Sequence, residues 1–214
     1  MLKYFLVILY ILIIFGIAII YKKFRPNNKE LLRKIIHIGI GPLILLAKYL
    51  GISQFFAGYF TCLMAFLIVT NYIYKLFPII EDVERKSYGT FFYCISLLFL
   101  VILFWEKDPY ALIAGFFTMT FGDGFAGLIG KNFSSKNWLI LNQKKSLLGT
   151  ATMLISSLLI FISVGIYGDF SINGNFIFIA LLVTILEQIS VYGIDNLTVP
   201  IIASFTFNLL ITKL

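Results

Sequence analysis

Residues 109–131 read PYALIAGFFTMTFGDGFAGLIGK, an apolar run of helix length that ends in one aspartate and one lysine. A membrane-spanning helix needs about 20 such residues to cross a hydrocarbon core roughly 30 Å thick. The whole chain of 214 residues is similar, with 60% hydrophobic residues, 13% charged residues and a mean hydropathy of +0.98. These values exclude an ordinary soluble domain. Because the apolar runs are unbroken instead of alternating, they predict an all-α, polytopic integral membrane protein.

The apolar runs predict seven or eight transmembrane helices in a single domain, 1–214. They lie at about 2–21, 35–50, 53–74, 89–104, 109–129, 147–167, 176–193 and 198–212. The last run is short and contains Pro200, so it is either a full span or a partial, re-entrant one. The first run, 1–21, is followed by lysines and an arginine, not by the small residues of a signal cleavage site. We therefore interpret it as a retained first helix.

Charged residues are expected on one side of the membrane. The first, third and fifth loops carry 13 of the 17 lysines and arginines. By the positive-inside rule this side is cytoplasmic and the N-terminus lies outside. Topology explains part of this excess, but it does not explain why carboxylates map to the same side: Glu81, Asp82, Glu84, Asp123, Glu187 and Asp195. Acids and bases on one face are expected where divalent metal ions meet a polyphosphate.

The second apolar run begins with a basic cluster. A spacing of four residues puts Arg33, His37 and Gly41 on one face of a helix, with Lys34 beside them. In one interpretation the bases reach lipid headgroups and the histidine bonds a neighbouring helix. In the other, the donors face phosphate oxygens, which is favoured because polar groups at this depth are usually functional.

The apolar run 109–131 carries a second pattern. Gly122, Ala126 and Gly130 recur every four residues, which predicts close packing against another helix. Packing does not explain Asp123, a carboxylate near the membrane boundary that can hold Mg²⁺ together with water and phosphate oxygens. Lysines follow it at Lys131, Lys136, Lys144 and Lys145. The glycine and lysine spacing of a P-loop is absent.

Two further features stand at the ends of later runs. Ser146 can cap the helix that follows it and so present the positive helix end to a phosphate. Glu187 lies two turns inside the seventh run, and a buried glutamate needs a metal, a proton or a partner on another helix. On a continuous helix Glu187 and Asp195 would be about 12 Å apart. Either they have different roles, or the helix breaks near Gly193.

Five segments occur in the order Arg33-Lys34-x-x-His37, Glu84-Arg85-Lys86-Ser87-x-Gly89, Gly122-Asp123-x-x-Ala126-x-x-x-Gly130-Lys131, Lys145-Ser146-x-x-Gly149-Thr150, and Glu187 with Asp195-Asn196-Leu197-x-Val199-Pro200. Together they resemble the polyprenol kinase family, which includes dolichol kinases, phytol kinases and the CTP-dependent diacylglycerol kinase. More distantly they resemble phosphatidate cytidylyltransferases. The resemblance covers a core of 33–200 in one transmembrane catalytic domain.

The resemblance implies transfer of the γ-phosphoryl group of CTP to the hydroxyl group of a membrane lipid. The acceptor would be an isoprenoid alcohol of the polyprenol, dolichol, phytol or geranylgeraniol type, or diacylglycerol. The enzyme would lie in the cell membrane with its active site facing the cytoplasm, and no nucleic-acid partner is expected.

The resemblance also assigns residues. Mg²⁺ would be held by Asp123, Glu187 and Asp195. The triphosphate would be held by Arg33, Lys34, His37, Lys131, Lys144, Lys145, Ser146, Gly149, Thr150 and Asn196. The catalytic residues would be Asp123, Lys145, Asp195 and His37, with Asp195 the first candidate for the general base and His37 the second.

Two other functions stay open at this point. The chain has Asp195-Asn196-Leu197-Thr198-Val199-Pro200 where cytidylyltransferases end in a Gly-x-x-Asp-Arg-x-Asp-Ser type of segment, which favours a kinase over a cytidylyltransferase. A transporter would need Asp123, Glu187 and Asp195 spread through the membrane depth, whereas the sequence concentrates them on one side. The sequence identifies neither the lipid alcohol nor the oligomeric state.

Overall fold

The structure, a computed structural model, describes residues 1–25, 28–74, 88–141 and 143–212. It is built of helices, as predicted. In chain order these are α1 (Leu2–Phe24), α2 (Lys29–Gly39), α3 (Leu43–Tyr49), α4 (Gln54–Tyr74), α5 (Gly89–Phe104), α6 (Pro109–Phe117), α7 (Gly124–Asn132), α8 (Leu147–Tyr167), α9 (Gly174–Ile189) and α10 (Asp195–Phe207). Two π-helical segments, Thr118–Asp123 and Asn208–Thr212, continue α6 and α10.

Four helical stretches are long and apolar enough to cross a membrane. They are Leu2–Phe24, Gln54–Tyr74, Pro109–Asn132 and Leu147–Tyr167. The apolar helices α5 and α9 have 16 residues each and fall short of that length. The coarser prediction of a helical protein with spanning helices is therefore confirmed, while the count of seven or eight spans and the outside N-terminus stay predictions.

The second predicted run is two helices instead of one. Helix α2 ends at Gly39 and α3 begins at Leu43, because Pro42 has no N–H group and disfavours the helical conformation of the residue before it. Gly41 is therefore not on the helix of Arg33 and His37, and the predicted stripe is wrong at this position. A Cβ on Gly41 would lie 2.5 Å from the Thr120 side chain, so the glycine allows the turn to approach the π-helical segment.

Helix α6 lies at the centre of the bundle, packed against α5, α8 and α10. Leu112, Ala114 and Phe116 on α6 are completely or almost completely buried. A Cβ on Gly115 would lie 2.3 Å from the main-chain oxygen of Pro200, so the backbones of α6 and α10 are in direct contact. This central helix leads without a loop into the π-helical segment that carries Asp123.

The basic segment between α7 and α8 forms a two-stranded antiparallel hairpin, which the sequence did not indicate. Its strands are β1 (Asn137–Ile140) and β2 (Gln143–Ser146), with Trp138 paired to Lys145. Because side chains alternate along a strand, Lys144 is exposed while Lys145 is half-buried. The hairpin thus turns Lys145, but not Lys144, toward the interior of the protein.

Candidate active site

The first half of the site is a buried ion pair between α2 and the π-helical segment. Lys34 Nζ lies 2.8 Å from Asp123 Oδ2 and 3.0 Å from the main-chain oxygen of Asp123. The Lys34 side chain is 2% exposed. A Cβ on Gly127, one turn after Asp123, would lie 2.8 Å from Lys34 Cε, so only glycine leaves room for the lysine. Lone π-helical turns occur often at functional sites.

His37 lies one turn after Lys34 and reaches the same segment. Its Nε2 is 3.0 Å from the main-chain oxygen of Met119 and 3.6 Å from Asp123 Oδ2. A carbonyl oxygen can only accept a hydrogen bond, so Nε2 carries the proton and donates it. The Tyr93 hydroxyl donates to the main-chain oxygen of His37 and bonds the Thr120 hydroxyl. His37 is thereby fixed as a donor that faces the Asp123 carboxylate.

The second half of the site is an ion pair between the hairpin and α9. Lys145 Nζ contacts Glu187 Oε1 and also donates to the main-chain oxygen of Glu187 at 2.6 Å. Both side chains are 11% exposed. Glu187 therefore has the partner on another element that its buried position requires. Its other oxygen, Oε2, accepts from Gln188, whose Nε2 also donates to the Thr150 hydroxyl on α8.

Ser146 joins the hairpin to α8 as the sequence predicted. Its Oγ accepts a hydrogen bond from the main-chain N–H of Gly149 at 3.1 Å and so caps the helix. The small-residue pattern on α7 packs here. A Cβ on Gly130 would lie 2.7 Å from Ser146 Oγ and 3.2 Å from Gly149 Cα. This close contact brings the positive end of α8 beside the end of α7.

Asp195 lies between the two ion pairs, at the start of α10. Helix α9 ends at Ile189, and Tyr192 and Gly193 have positive φ angles of 55° and 85°. The helix therefore breaks near Gly193, one of the two alternatives left open by the sequence. Burial, and next to it the negative charge of Asp123, raises the pKa of Asp195 to about 6. The charges of Lys34, Lys145 and Glu187 also change this pKa, so the protonation of Asp195 depends on both ion pairs.

Asn196 connects Asp195 to the second segment of the family pattern, which ends at Gly89. Its Nδ2 donates to the main-chain oxygen of Gly89 at 2.9 Å, and its buried Oδ1 has no hydrogen-bond partner in the described part of the chain. The main-chain N–H of Tyr88 bonds the oxygen of Tyr192. The rest of that segment, Glu84-Arg85-Lys86-Ser87, lies outside the described residues.

The other predicted phosphate-binding residues are less closely joined to the site. Arg33 pairs with Glu30 at 2.7 Å, and its buried Nε finds no partner among the residues described. Burial alone would lower the pKa of Arg33, but Glu30, and then Asp123 and Asp195, raise it above its usual value. Lys131 and Lys144 have exposed side chains.

The carboxylates can be tested for fit to a metal ion. Within 1–25, 28–74, 88–141 and 143–212, no three acidic, histidine or cysteine side chains converge on one point. Mg²⁺ in phosphoryl-transfer sites usually takes one or two carboxylates and completes its shell with water and phosphate oxygens. Asp195 is close enough to Asp123 for the two charges to repel, and the described residues offer no cation within 4.0 Å of it. Because Asp195 has no such cation partner among the described residues and lies close to Asp123, the two carboxylates fit such an ion.

Sequence reasoning missed three polar residues of the site. Gln188 is one, and its position next to Glu187 inside an apolar helix was a usable signal. Tyr93 and Thr120 are the others. Tyr93 does not stand out because aromatic residues make up 17% of the chain, and Thr120 does not stand out because it lies within an apolar run. All three orient residues that the sequence did indicate.

The known proteins to which this chain is similar include kinases of isoprenoid alcohols. The chain is 33% identical over 179 residues to a phytol kinase of Synechocystis sp., a match that covers 80% of this chain and 76% of the relative. It is 31% identical over 190 residues to a probable chloroplastic phytol kinase 2 of Glycine max, covering 83% of this chain. It is 26% identical over 138 residues to a chloroplastic farnesol kinase of Arabidopsis thaliana.

These plant relatives are longer, and the chain spans 64% of the soybean protein and 44% of the Arabidopsis one. No family model matches the chain, and no solved structure matches it. The long match to the Synechocystis phytol kinase decides the family. The chain therefore belongs to the polyprenol and phytol kinase family.

Proposed function

We propose that this protein is an isoprenoid-alcohol kinase that transfers the γ-phosphoryl group of CTP to the hydroxyl group of a phytol-like or farnesol-like alcohol. The relatives are named for phytol and farnesol, which supports an isoprenoid acceptor. CTP as the donor rests on the family resemblance, since no contact in the site selects a base. We further propose that the protein is embedded in the cell membrane with the site at the cytoplasmic face.

The observation that carries the proposal is the pair of buried lysine–carboxylate contacts. Lys34 and Asp123 are 89 residues apart in the chain, and Lys145 and Glu187 are 42 residues apart. Burying two ion pairs is costly and is weak evidence for a role in stability. Phosphoryl transfer, in contrast, depends mainly on positioning and on neutralising charge. Two lysines held ready beside carboxylates suit that requirement.

The chain's own residues supply the donors for a triphosphate. Lys34 and Lys145 can turn from their carboxylates toward phosphate oxygens when a nucleotide enters. The capped N-terminus of α8 at Ser146 and Gly149 offers main-chain N–H groups with the positive helix end behind them. The Nε of Arg33, which has no hydrogen-bond partner among the described residues, adds a further donor.

A magnesium ion would be held by Asp123 and Asp195, with Glu187 close by on the Lys145 side. When bound, it would supply positive charge to the phosphate oxygens. It does not change which residues of the chain hold the nucleotide. His37, with its Nε2 3.6 Å from Asp123 Oδ2, would keep the Asp123 carboxylate in place after Lys34 has turned to the phosphates.

Asp195 is the better candidate for the general base. In the proposed step the alcohol oxygen attacks the γ-phosphorus, the bond from that phosphorus to the β,γ-bridging oxygen breaks, and CDP leaves with the electron pair. The proton of the alcohol goes to a carboxylate oxygen of Asp195. His37 is less suited, because the Nε2 that faces the site already carries a proton and donates it to Met119.

The proposal is tested with the purified protein in liposomes, Mg²⁺ and γ-labelled CTP or ATP. The acceptors are phytol, farnesol, geranylgeraniol, a polyprenol and diacylglycerol. We expect label on an isoprenoid alcohol, more from CTP than from ATP, and none with a folded Asp123→Asn variant. Label on none of the alcohols would refute the proposal. Transfer from α-labelled CTP to phosphatidate would identify a cytidylyltransferase instead.

A further inference from the structure

An apolar cavity lies beside the site, between α1, α3, α4, α5 and α6. Its volume is about 60 Å³, and it is only partly enclosed. Ile40 and Ile44 form one wall, Phe56 and Ala57 another, and Trp105 lies in the lining as well. Residues of five helices thus surround a space that the packing of the bundle leaves unfilled.

The cavity offers nothing to a polar ligand. Its lining contains two side chains with polar atoms, Thr61 and Trp105, and each is already satisfied within the protein. The Thr61 hydroxyl donates to the main-chain oxygen of Ala57, and Trp105 Nε1 donates to that of Ile52. Water needs several polar partners to occupy a cavity, so this one favours hydrocarbon.

Two contacts link the lining of the cavity to the site. Ile40 follows His37 by three residues, so the cavity begins about one helical turn from the histidine. On the other side, the Phe116 ring of the lining lies 5.6 Å from the Tyr93 ring. The Tyr93 hydroxyl donates to the main-chain oxygen of His37. A single layer of side chains therefore separates the cavity from the phosphate-binding residues.

From these observations we infer that the cavity receives the hydrocarbon chain of the acceptor alcohol and helps to select it by length. The inference rests on the proposed function, because an alcohol held at Asp195 needs an apolar path for its chain. From Leu43 to Ala47, which both lie on α3, the wall is about 6 Å long at 1.5 Å per residue. The hydrocarbon chain of the alcohol runs along this wall, and the part that the cavity does not hold extends into the surrounding lipid.

The cavity is closed at one end by the buried Trp105 and on one side by the mostly exposed helix α1. Trp105 is 2% exposed, and its main-chain oxygen accepts a hydrogen bond from Lys48 at 2.8 Å. In contrast, α1 contributes only Val7 to the lining, and only Val7 and Ala18 of its 23 residues are buried. A cavity of 60 Å³ is too small for a C15 or C20 chain, since one of 150 Å³ holds a benzene. Outward movement of α1 would widen it and would break the hydrogen bonds that Lys3 and Tyr10 donate to the main-chain oxygens of Gly51 and Gly39.

Binding can be tested without activity. A phytol analogue with a diazirine in its chain is photolysed with the full-length protein in liposomes, and the adducts are mapped by mass spectrometry. We expect adducts on α3 and α4, around Ile44 and Phe56, that excess unlabelled phytol removes. Adducts elsewhere, or adducts removed by phospholipid but not by phytol, would overturn the inference.

Selection by length is tested by filling the cavity. Ala57→Leu is expected to raise the KM for phytol about 10-fold and to leave the KM for the nucleotide unchanged, since about 1.4 kcal/mol of lost binding is tenfold. Ala65→Leu, on the same helix but outside the lining, is the control. Equal effects of the two substitutions would overturn the inference. If no alcohol is phosphorylated but the adducts map to the cavity, the kinase proposal fails and the chain-binding cavity stands.

Discussion

The ammonium group of Lys34 contacts Asp123 twice, at carboxylate Oδ2 and at the main-chain oxygen. The lysine therefore fixes both the side chain and the backbone of the π-helical segment. The second lysine of the site repeats this arrangement, because Lys145 contacts both the carboxylate and the main-chain oxygen of Glu187. Each carboxylate is thus held in a set orientation.

Removing Lys34 should destabilise the protein. Lys34→Met leaves the Asp123 carboxylate buried without its partner, and breaking a buried pair in this way costs about 3–5 kcal/mol. Thermal unfolding in detergent measures the loss. The double variant Lys34→Met/Asp123→Leu should recover most of the stability and remain inactive. If the double variant is no more stable than Lys34→Met, the ion pair is not what the lysine stabilises.

The two candidates for the general base can be separated by substitution. Asp195→Asn should lower kcat by about 100-fold or more, the range for loss of a general base. His37→Gln should cost about 10-fold or less, because the glutamine amide can still donate to Met119. The rates are measured by label transfer at saturating substrates, with each variant checked for folding. A larger loss at His37 than at Asp195 would reverse the assignment.

Neighbouring lysines of the hairpin should behave differently. Lys145→Met should lower kcat/KM by about 100-fold, since it removes a charge-assisted contact and leaves Glu187 unpaired. Lys144→Met should raise the KM for the nucleotide by only about 2- to 5-fold, because an exposed charge contributes little. Lys107→Met is the control, because Lys107 is exposed and precedes the start of α6, at the other end of the helix from Asp123. Similar effects of the two hairpin substitutions would contradict the orientation that the strand gives them.

The contact between α7 and α8 should not tolerate a methyl group. Gly130→Ala places a Cβ 2.7 Å from Ser146 Oγ and 3.2 Å from Gly149 Cα. Overpacking of this kind costs about 1–3 kcal/mol, and it would displace the capped end of α8. We expect a lower unfolding temperature and a higher KM for the nucleotide.

The matched control for this substitution is Gly16→Ala on α1. A Cβ on Gly16 meets nothing within 4 Å. Because alanine favours a helix over glycine by about 0.5–1 kcal/mol, this variant should be as stable as the parent or slightly more so. A loss of stability at Gly16 equal to that at Gly130 would show that the effect is not local packing.

Much of the helical architecture could be predicted because its cause is local. Apolar runs of helix length set the bounds of α4, α5 and α8 to within a few residues. The cap at Ser146 and the break near Gly193 were also readable, since a serine before an apolar run and a glycine after one have known effects on a helix end. The split between α2 and α3 was missed, although Pro42 is its cause.

The pairing within the site could not be predicted. The chain has 17 lysines and arginines, and nothing local indicates that Lys34 pairs with Asp123 or Lys145 with Glu187. Those pairs depend on how the helices cross, which long-range packing decides. The hairpin that turns Lys145 inward is equally hidden, because its strands are four residues each and carry no apolar alternation.

Ser146 is both the last residue of β2 and the N-cap of α8. The position of Lys145 is therefore set by the number of residues between it and α8, not by the number between it and the hairpin turn. An extra residue in the turn beside Leu141, which already has a positive φ angle of 48°, would leave Lys145 facing Glu187. An extra residue between Lys145 and Ser146 would rotate the lysine to the opposite face of the strand. Evolution can therefore lengthen this hairpin at its tip but not at its base.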